Sequence, residues 1–137
     1  MGSNSRKRRR DAWKAKQIRW QDVWELPLKL DECETYAFSA NGVMALTFEG
    51  ETEEQIREAR NIVAIINGEQ ETDGAHEWVH YGSADIYCDA GDAERFVFSV
   101  RGWGHLTGAS MRLSEKEAAH IQDDFIAYIL ARLNGDK

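Results

Sequence analysis

Two segments of the chain begin and end by the same local rules, and they restrict the possible folds more than any other feature. "TEEQIREARNIVAIING" opens at Thr52 with Gln55 three residues on. In this pattern a hydroxyl at a helix start accepts a bond from a first-turn N–H and the later side chain reaches back. Glu53 and Glu54 suit the positive end of the helix dipole. Ile56, Ala59, Val63 and Ile66 recur at helical spacing, Ile62 widens the stripe, and Asn67-Gly68 ends it with a glycine suited to a left-handed turn. "LSEKEAAHIQDDFIAYILARLNG" repeats the scheme. Ser114 and Glu117 form the start, Ala118, Ile121, Phe125, Ile129 and Leu133 the stripe, with Ile126 and Leu130 beside it, and Asn134-Gly135 the end. The matched starts and stops raise an internal ββα duplication, which few identical residues support.

Strands fill the intervals. "TYAFSANGVMALTF" is two runs about Asn41-Gly42, a strong hairpin signal, with Tyr36 and Phe38 on one face and Met44, Leu46 and Phe48 sharing another. "WELPLKL" alternates Trp24, Leu26, Leu28 and Leu30, and Pro27 assigns that strand to an edge or a beginning. "ADIYCDAGDAERFVFSVRG" reads as a second hairpin, with Ile86 and Cys88 on one arm and Phe96, Phe98 and Val100 on the other. Trp13, Trp20 and Trp24 suit a short helix before Pro27. The expected fold is α+β in two layers: an antiparallel sheet of about five strands, two helices packed on one face, and a basic N-terminal extension.

The 137 residues suit one domain with a core large enough to fold without disulfides or structural metal. Cys33 and Cys88 form no metal or framework spacing and read as reduced thiols. The longest wholly apolar run is the five-residue "IVAII" at 62–66, far short of a membrane span, and no apolar stretch follows the basic start as a secretory signal requires. A cytoplasmic location without a membrane partner is expected.

Charge is unevenly placed. Residues 1–19 hold eight basic residues against one acidic, a net +7; residues 20–137 hold nine basic against twenty-three acidic, a net −14. The chain therefore divides into a basic arm, 1–19, and an acidic domain, 20–137. Arg8, Arg9, Arg10, Trp13, Lys14 and Arg19 are the arm's candidate contacts. Three readings fit them: a solvated leader, docking on an acidic protein surface, or nucleic-acid binding in which arginines neutralise phosphates and a tryptophan stacks on a base. The acidic domain would repel nucleic acid and confine such binding to the arm.

Two short motifs invite chemistry. "HEWVH" at 76–80 matches H-E-x-x-H and resembles the zinc metallopeptidases of the zincin type, a resemblance that implies His76 and His80 as zinc ligands and Glu77 as general base. That chemistry needs a helix, where four-residue spacing aligns the two imidazoles. Gly74 and Gly82 leave only seven residues between them, and the stretch from Trp78 to Cys88 alternates as a strand does. On a strand the two histidines lie about 13 Å apart at about 3.3 Å per residue. Glu117 or His120 offers a third ligand, with nothing to select either. The strand reading is adopted, with no cofactor, and the zinc hydrolase is kept as the alternative. "RGWGHLTG" at 101–108 presents Arg101, Trp103 and His105 as candidate loop residues; its glycines read first as a bulge or bend at a strand end. No phosphate-binding loop, dinucleotide fingerprint, G-x-S-x-G or Cys/His nucleophile arrangement is present in the sequence.

"EEQIREARNIVAIING" resembles a recurrent segment of small phage- and prophage-encoded proteins, in which a strand pair leads into an "ARxIVxxxN" helix. The resemblance covers about a tenth of the chain and transfers no catalytic residue. It implies a context in which small accessory proteins bind a host enzyme or defence complex. The expectation is a non-enzymatic binding module that meets a protein partner through its acidic surface or basic arm. A nucleic-acid binder using the arm is the further alternative.

Overall fold

The computed structural model describes residues 18–49, 52–89 and 96–135. In chain order its elements are α1 (Trp20–Val23), β1 (Lys29–Leu30), β2 (Tyr36–Phe38), β3 (Met44–Phe48), α2 (Glu53–Ile66), β4 (Glu77–His80), β5 (Asp85–Asp89), β6 (Phe96–Val100), α3 (Trp103–Thr107) and α4 (Glu115–Asn134). The strands form one antiparallel sheet in the order β1-β2-β3-β6-β5-β4, one strand more than expected. The two long helices share one side of it, as anticipated. The extra strand is β4, which carries most of the H-E-x-x-H motif.

The strand order reads the same from either edge. Each half of the chain is a three-strand meander followed by a long helix, and β3 meets β6 antiparallel at the centre, with Leu46 opposite Val100 and Phe48 opposite Phe98. This is an approximate twofold relation about the β3–β6 seam, a βββα unit used twice. Matching details support it. Thr52 Oγ1 accepts from Gln55 N at 3.1 Å and Thr52 N donates to Gln55 Oε1 at 3.2 Å. Ser114 Oγ accepts from Glu117 N at 3.2 Å and donates its own hydrogen bond to Glu117 Oε1 at 2.9 Å. Gly68 and Gly135 follow the two helices at φ +77° and +75°.

The asparagines before those glycines do the same job in each half. Asn67 Oδ1 accepts from Leu28 N at 2.7 Å, and its Nδ2 donates to Leu28 O at 2.8 Å. Asn134 Oδ1 accepts from Trp78 N at 2.8 Å, and its Nδ2 donates to Trp78 O at 3.0 Å. A side-chain amide mimics a peptide unit, so each asparagine satisfies one outward-facing N–H and C=O at its half's outer edge. The exposed backbone of an edge strand is a template for unwanted pairing, and covering it removes that template.

The core lies between sheet and helices. Trp24, Ile62, Ile66, Ile86, Phe98, Phe125, Ile129 and Leu133 are fully buried there. Trp24 stacks on Phe125 with centroids 4.5 Å apart, and Trp20 stacks on Tyr128 at the same separation. These rings pin the segment before β1 against α4, and Ile18, within the stretch read as the arm, packs on the core's margin. The α2 C-terminus is closed from α4: Tyr128 Oη donates to Ile66 O at 2.8 Å and Arg132 Nε to Ile65 O at 3.3 Å. A cation there also suits the negative end of the helix dipole.

The strand at "WELPLKL" is shorter than the alternation suggested. Only Lys29–Leu30 pairs, at the edge position that Pro27 indicated. Trp24 belongs instead to the turn that ends α1, where its indole is needed by the core. The hairpin about Asn41-Gly42 forms with a five-residue connection, because a bulge at Ala37/Phe38 shifts the register. Asn41 Nδ2 donates to Val23 O at 3.1 Å, which docks the hairpin tip on α1.

Candidate functional site

The H-E-x-x-H segment lies on an edge strand, as its alternation predicted. Glu77, Trp78, Val79 and His80 pair with Asp89, Cys88, Tyr87 and Ile86. His76 precedes the strand and is exposed; Trp78 is buried in the core between the two histidines. His80 Nε2 donates to Ser83 O and holds the turn into β5. Glu77 is exposed, Glu117 is engaged with Ser114, and His120 faces Asp124 along α4 at 3.7 Å. The two-residue repeat of a strand spreads the motif where a helix would gather it. Among the described residues no three His, Cys, Asp or Glu side chains are grouped to hold a metal ion.

"RGWGHLTG" turns out to be a strand-to-helix junction. The chain leaves β6 at Val100, turns at Gly102 with φ +117°, and enters α3. Gly102 makes the bend at the strand end that the glycines suggested, and a short helix follows it; Gly102 lies against the Trp24 indole, whose Nε1 donates to Arg101 O at 2.9 Å. Arg101 Nε donates to Thr47 Oγ1 at 3.1 Å across the sheet, Trp103 is partly exposed at the start of α3, and His105 is half-buried within it.

Of the candidates in the arm, Arg8, Arg9, Arg10, Trp13 and Lys14 lie outside the described residues. Arg19 is exposed, its N donates to Asp22 Oδ2 at 3.0 Å, and its guanidinium lies 3.8 Å from the same carboxylate. An open groove of about 1050 Å³ runs between residues 18–21 and α4, with Trp20, His120, Asp123 and Asp124 on its walls.

The face of the sheet away from the long helices carries a row formed by register: Tyr36 opposite Thr47, Thr47 opposite Ser99, and Ser99 opposite Asp85. Ser99 Oγ donates to Asp85 Oδ1.

A smaller cleft has a different character. About 110 Å³ in volume, it opens between α2 and the segment 70–76 that leads into β4. Its lining is mostly polar, with Glu58, Asp73 and His76 among it, and behind these lie the buried side chains of Trp78, Ile62, Ile65 and Leu133. Burial pushes the Glu58 carboxyl above its ordinary value of 4.5; His76 opposes that shift, while Asp73 and Glu54 add to it. Glu34 behaves oppositely: its bidentate pair with Arg60 holds its carboxyl below the ordinary range. Sequence reading missed this cleft. Nothing in local spacing links residue 58 to residues 73 and 76.

No family model matches this chain, and no curated protein or solved structure matches it significantly. No helix among the described residues is long and apolar enough to cross a membrane.

The two perturbed carboxyls give opposite pH dependences. A folded-state pKa raised by burial makes ionisation costly to the fold, so the Glu58 penalty is present at neutral pH and fades as pH falls toward 4.5. The Glu34 contribution is present above 4.5 and is lost as pH falls through its lowered folded value. Glu58→Gln is therefore expected to raise Tm at pH 7 and to leave it unchanged near pH 4. Because Glu58 remains partly solvated, screening keeps the gain below about 1 kcal/mol. Thermal melts of the two proteins at both pH values check the sign.

Proposed function

We propose that this protein is a non-enzymatic binding module whose acidic domain engages a positively charged surface on a protein partner. The observation that carries this reading is the excess of carboxylates over residues 53–77, seven against Arg57 and Arg60, the latter already paired with Glu34. Asp73 and Glu54 lie close enough to Glu58 to add to the rise of its pKa, with Glu53, Glu69, Glu71 and Glu77 exposed along the same stretches. Like charges held together destabilise a fold slightly and are relieved when an opposite surface arrives, which favours fast, salt-sensitive association. A small accessory protein that occupies a basic channel of a host enzyme or defence complex fits this chemistry.

The zinc-hydrolase alternative draws no support from the geometry, since β4 keeps the motif extended. The arm-based nucleic-acid alternative rests on residues outside those described.

Mapping by NMR tests the proposal. A polybasic peptide added at low salt is expected to shift α2 and residues 69–77 first, with the shifts reversed at a few hundred millimolar salt, where the Debye length falls to a few ångströms. Shifts spread evenly over every acidic segment, α4 included, would count against a dedicated face.

A further inference from the structure

We infer that the groove between residues 18–21 and the first half of α4 is the docking site of this chain's own basic arm. Residues 5–17 would cover the carboxylates of α4 and leave those of α2 and residues 69–77 for other contacts. Docking of this kind is intramolecular, and it stands or falls apart from the partner proposed above. Three observations converge on it.

The first is the character of the groove. Most of its lining is apolar, and Ile18, Trp20 and Ala119 each keep part of their surface open to solvent. At about 1050 Å³ it matches the upper end of pockets for drug-sized ligands, about 300–1,000 Å³. That is the scale of several side chains in a row rather than of one. The second is charge. Glu117, Asp123 and Asp124 line the groove from α4 against Lys116, and Arg19 on the opposite wall already pairs with Asp22. Residues 1–17 carry seven basic side chains against Asp11, a net +6, with Trp13 among them. An indole with cationic neighbours complements an apolar channel edged by carboxylates. The same charges exclude other occupants: the acidic domain of a second copy, net −14, and nucleic acid would both be repelled. The third is attachment. Ile18 and Arg19 are themselves part of the groove wall, so the arm departs from the site it would fill. Residues 116–124 rise about 12 Å along α4. The stretch back from Ile18 to Trp13 spans about 17 Å when extended. Trp13, Lys14 and Lys16 can therefore reach along the length of the groove. A tether this short gives an effective concentration in the millimolar range, so weak contacts suffice.

The experiment uses the full, isotope-labelled chain with a nitroxide on Ser5→Cys, beside the arginines. Cys33→Ser removes the exposed native thiol, and Cys88 is too buried to label. At low salt, NMR line broadening is expected to concentrate at residues 116–124 and the Trp20 indole, and to disperse at a few hundred millimolar salt. Asp123→Asn with Asp124→Asn should cut it several-fold, as should Arg8→Gln with Arg9→Gln and Arg10→Gln, each with Tm nearly unchanged. Broadening spread evenly over the domain, centred on α2 and residues 69–77, or equal in the aspartate variant overturns the docking. Mixing nitroxide-bearing chain with isotope-labelled chain lacking it separates the copies: broadening as strong between chains as within one overturns an intramolecular site. A polybasic peptide should shift residues 116–124 more readily in the arginine variant than in the parent, where the arm competes. Equal affinity for the two means that the arm does not occupy the groove, and overturns the inference.

Discussion

Gly102→Ala is expected to cost about 3–5 kcal/mol, whereas Gly104→Ala, two residues along, is expected to be neutral or to stabilise by up to about 1 kcal/mol. The difference follows from what each position meets. A Cβ on Gly102 would lie 2.7 Å from Trp24 Nε1 and 2.9 Å from Trp24 Cζ2, at a φ of +117° that L residues rarely adopt. The Trp24 ring cannot retreat, because it is fully buried and stacked on Phe125. Movement would also break its bond to Arg101 O. Gly104 lies inside α3 with nothing within 4 Å of its would-be Cβ, so alanine gains helix propensity there without a clash. Thermal unfolding should separate the pair by roughly 10–20 °C. Equal effects at the two positions would contradict the placement of Trp24.

Asn134→Ala should cost about 2 kcal/mol, and Asn67→Ala a similar amount. Each substitution strips two backbone partners at once, Trp78 N–H and C=O in the first case and Leu28 N–H and C=O in the second. Asp at either position should not restore the loss, since a carboxylate can accept from the N–H but sets lone pairs against the carbonyl. Denaturant melts give the stabilities, and amide exchange at Trp78 and Leu28 reports the clips directly. A large effect at one asparagine and none at the other would contradict the twofold account of the fold.

These asparagines show how far the sequence could be read. Their role as helix ends was plain from Asn-Gly and from the apolar stripes, and both helices start at the residues their caps indicated. The clips were not legible, because each joins residues far apart in sequence, 39 apart for Asn67 and 56 for Asn134. Trp24 shows the same limit. The sequence placed it both in an alternating strand with Leu26 and Leu28 and in a short helix with Trp20; the structure gives the second, with Trp24 closing α1 and stacked on Phe125, a hundred residues on. The strand character of "HEWVH" was readable from Trp78, whose neighbours alternate into Cys88. β4 was missed as a separate element because the turn at Gly82 carries no strong two-residue signal. The cleft at Glu58 was invisible for a similar reason: residue 58 reads as an ordinary helix-surface glutamate until the loop through Asp73 and His76 folds back on it.

The central claim is that recognition resides in the carboxylates of α2 and residues 69–77. The most direct measurement is the affinity of a partner captured from the source cell for two proteins: the parent, and a variant carrying Glu53→Gln, Glu54→Gln, Glu58→Gln and Asp73→Asn. A loss of ten-fold or more in the variant, with a matching loss of salt dependence, is the predicted result. Unchanged affinity and an unchanged salt slope in a folded variant would contradict it.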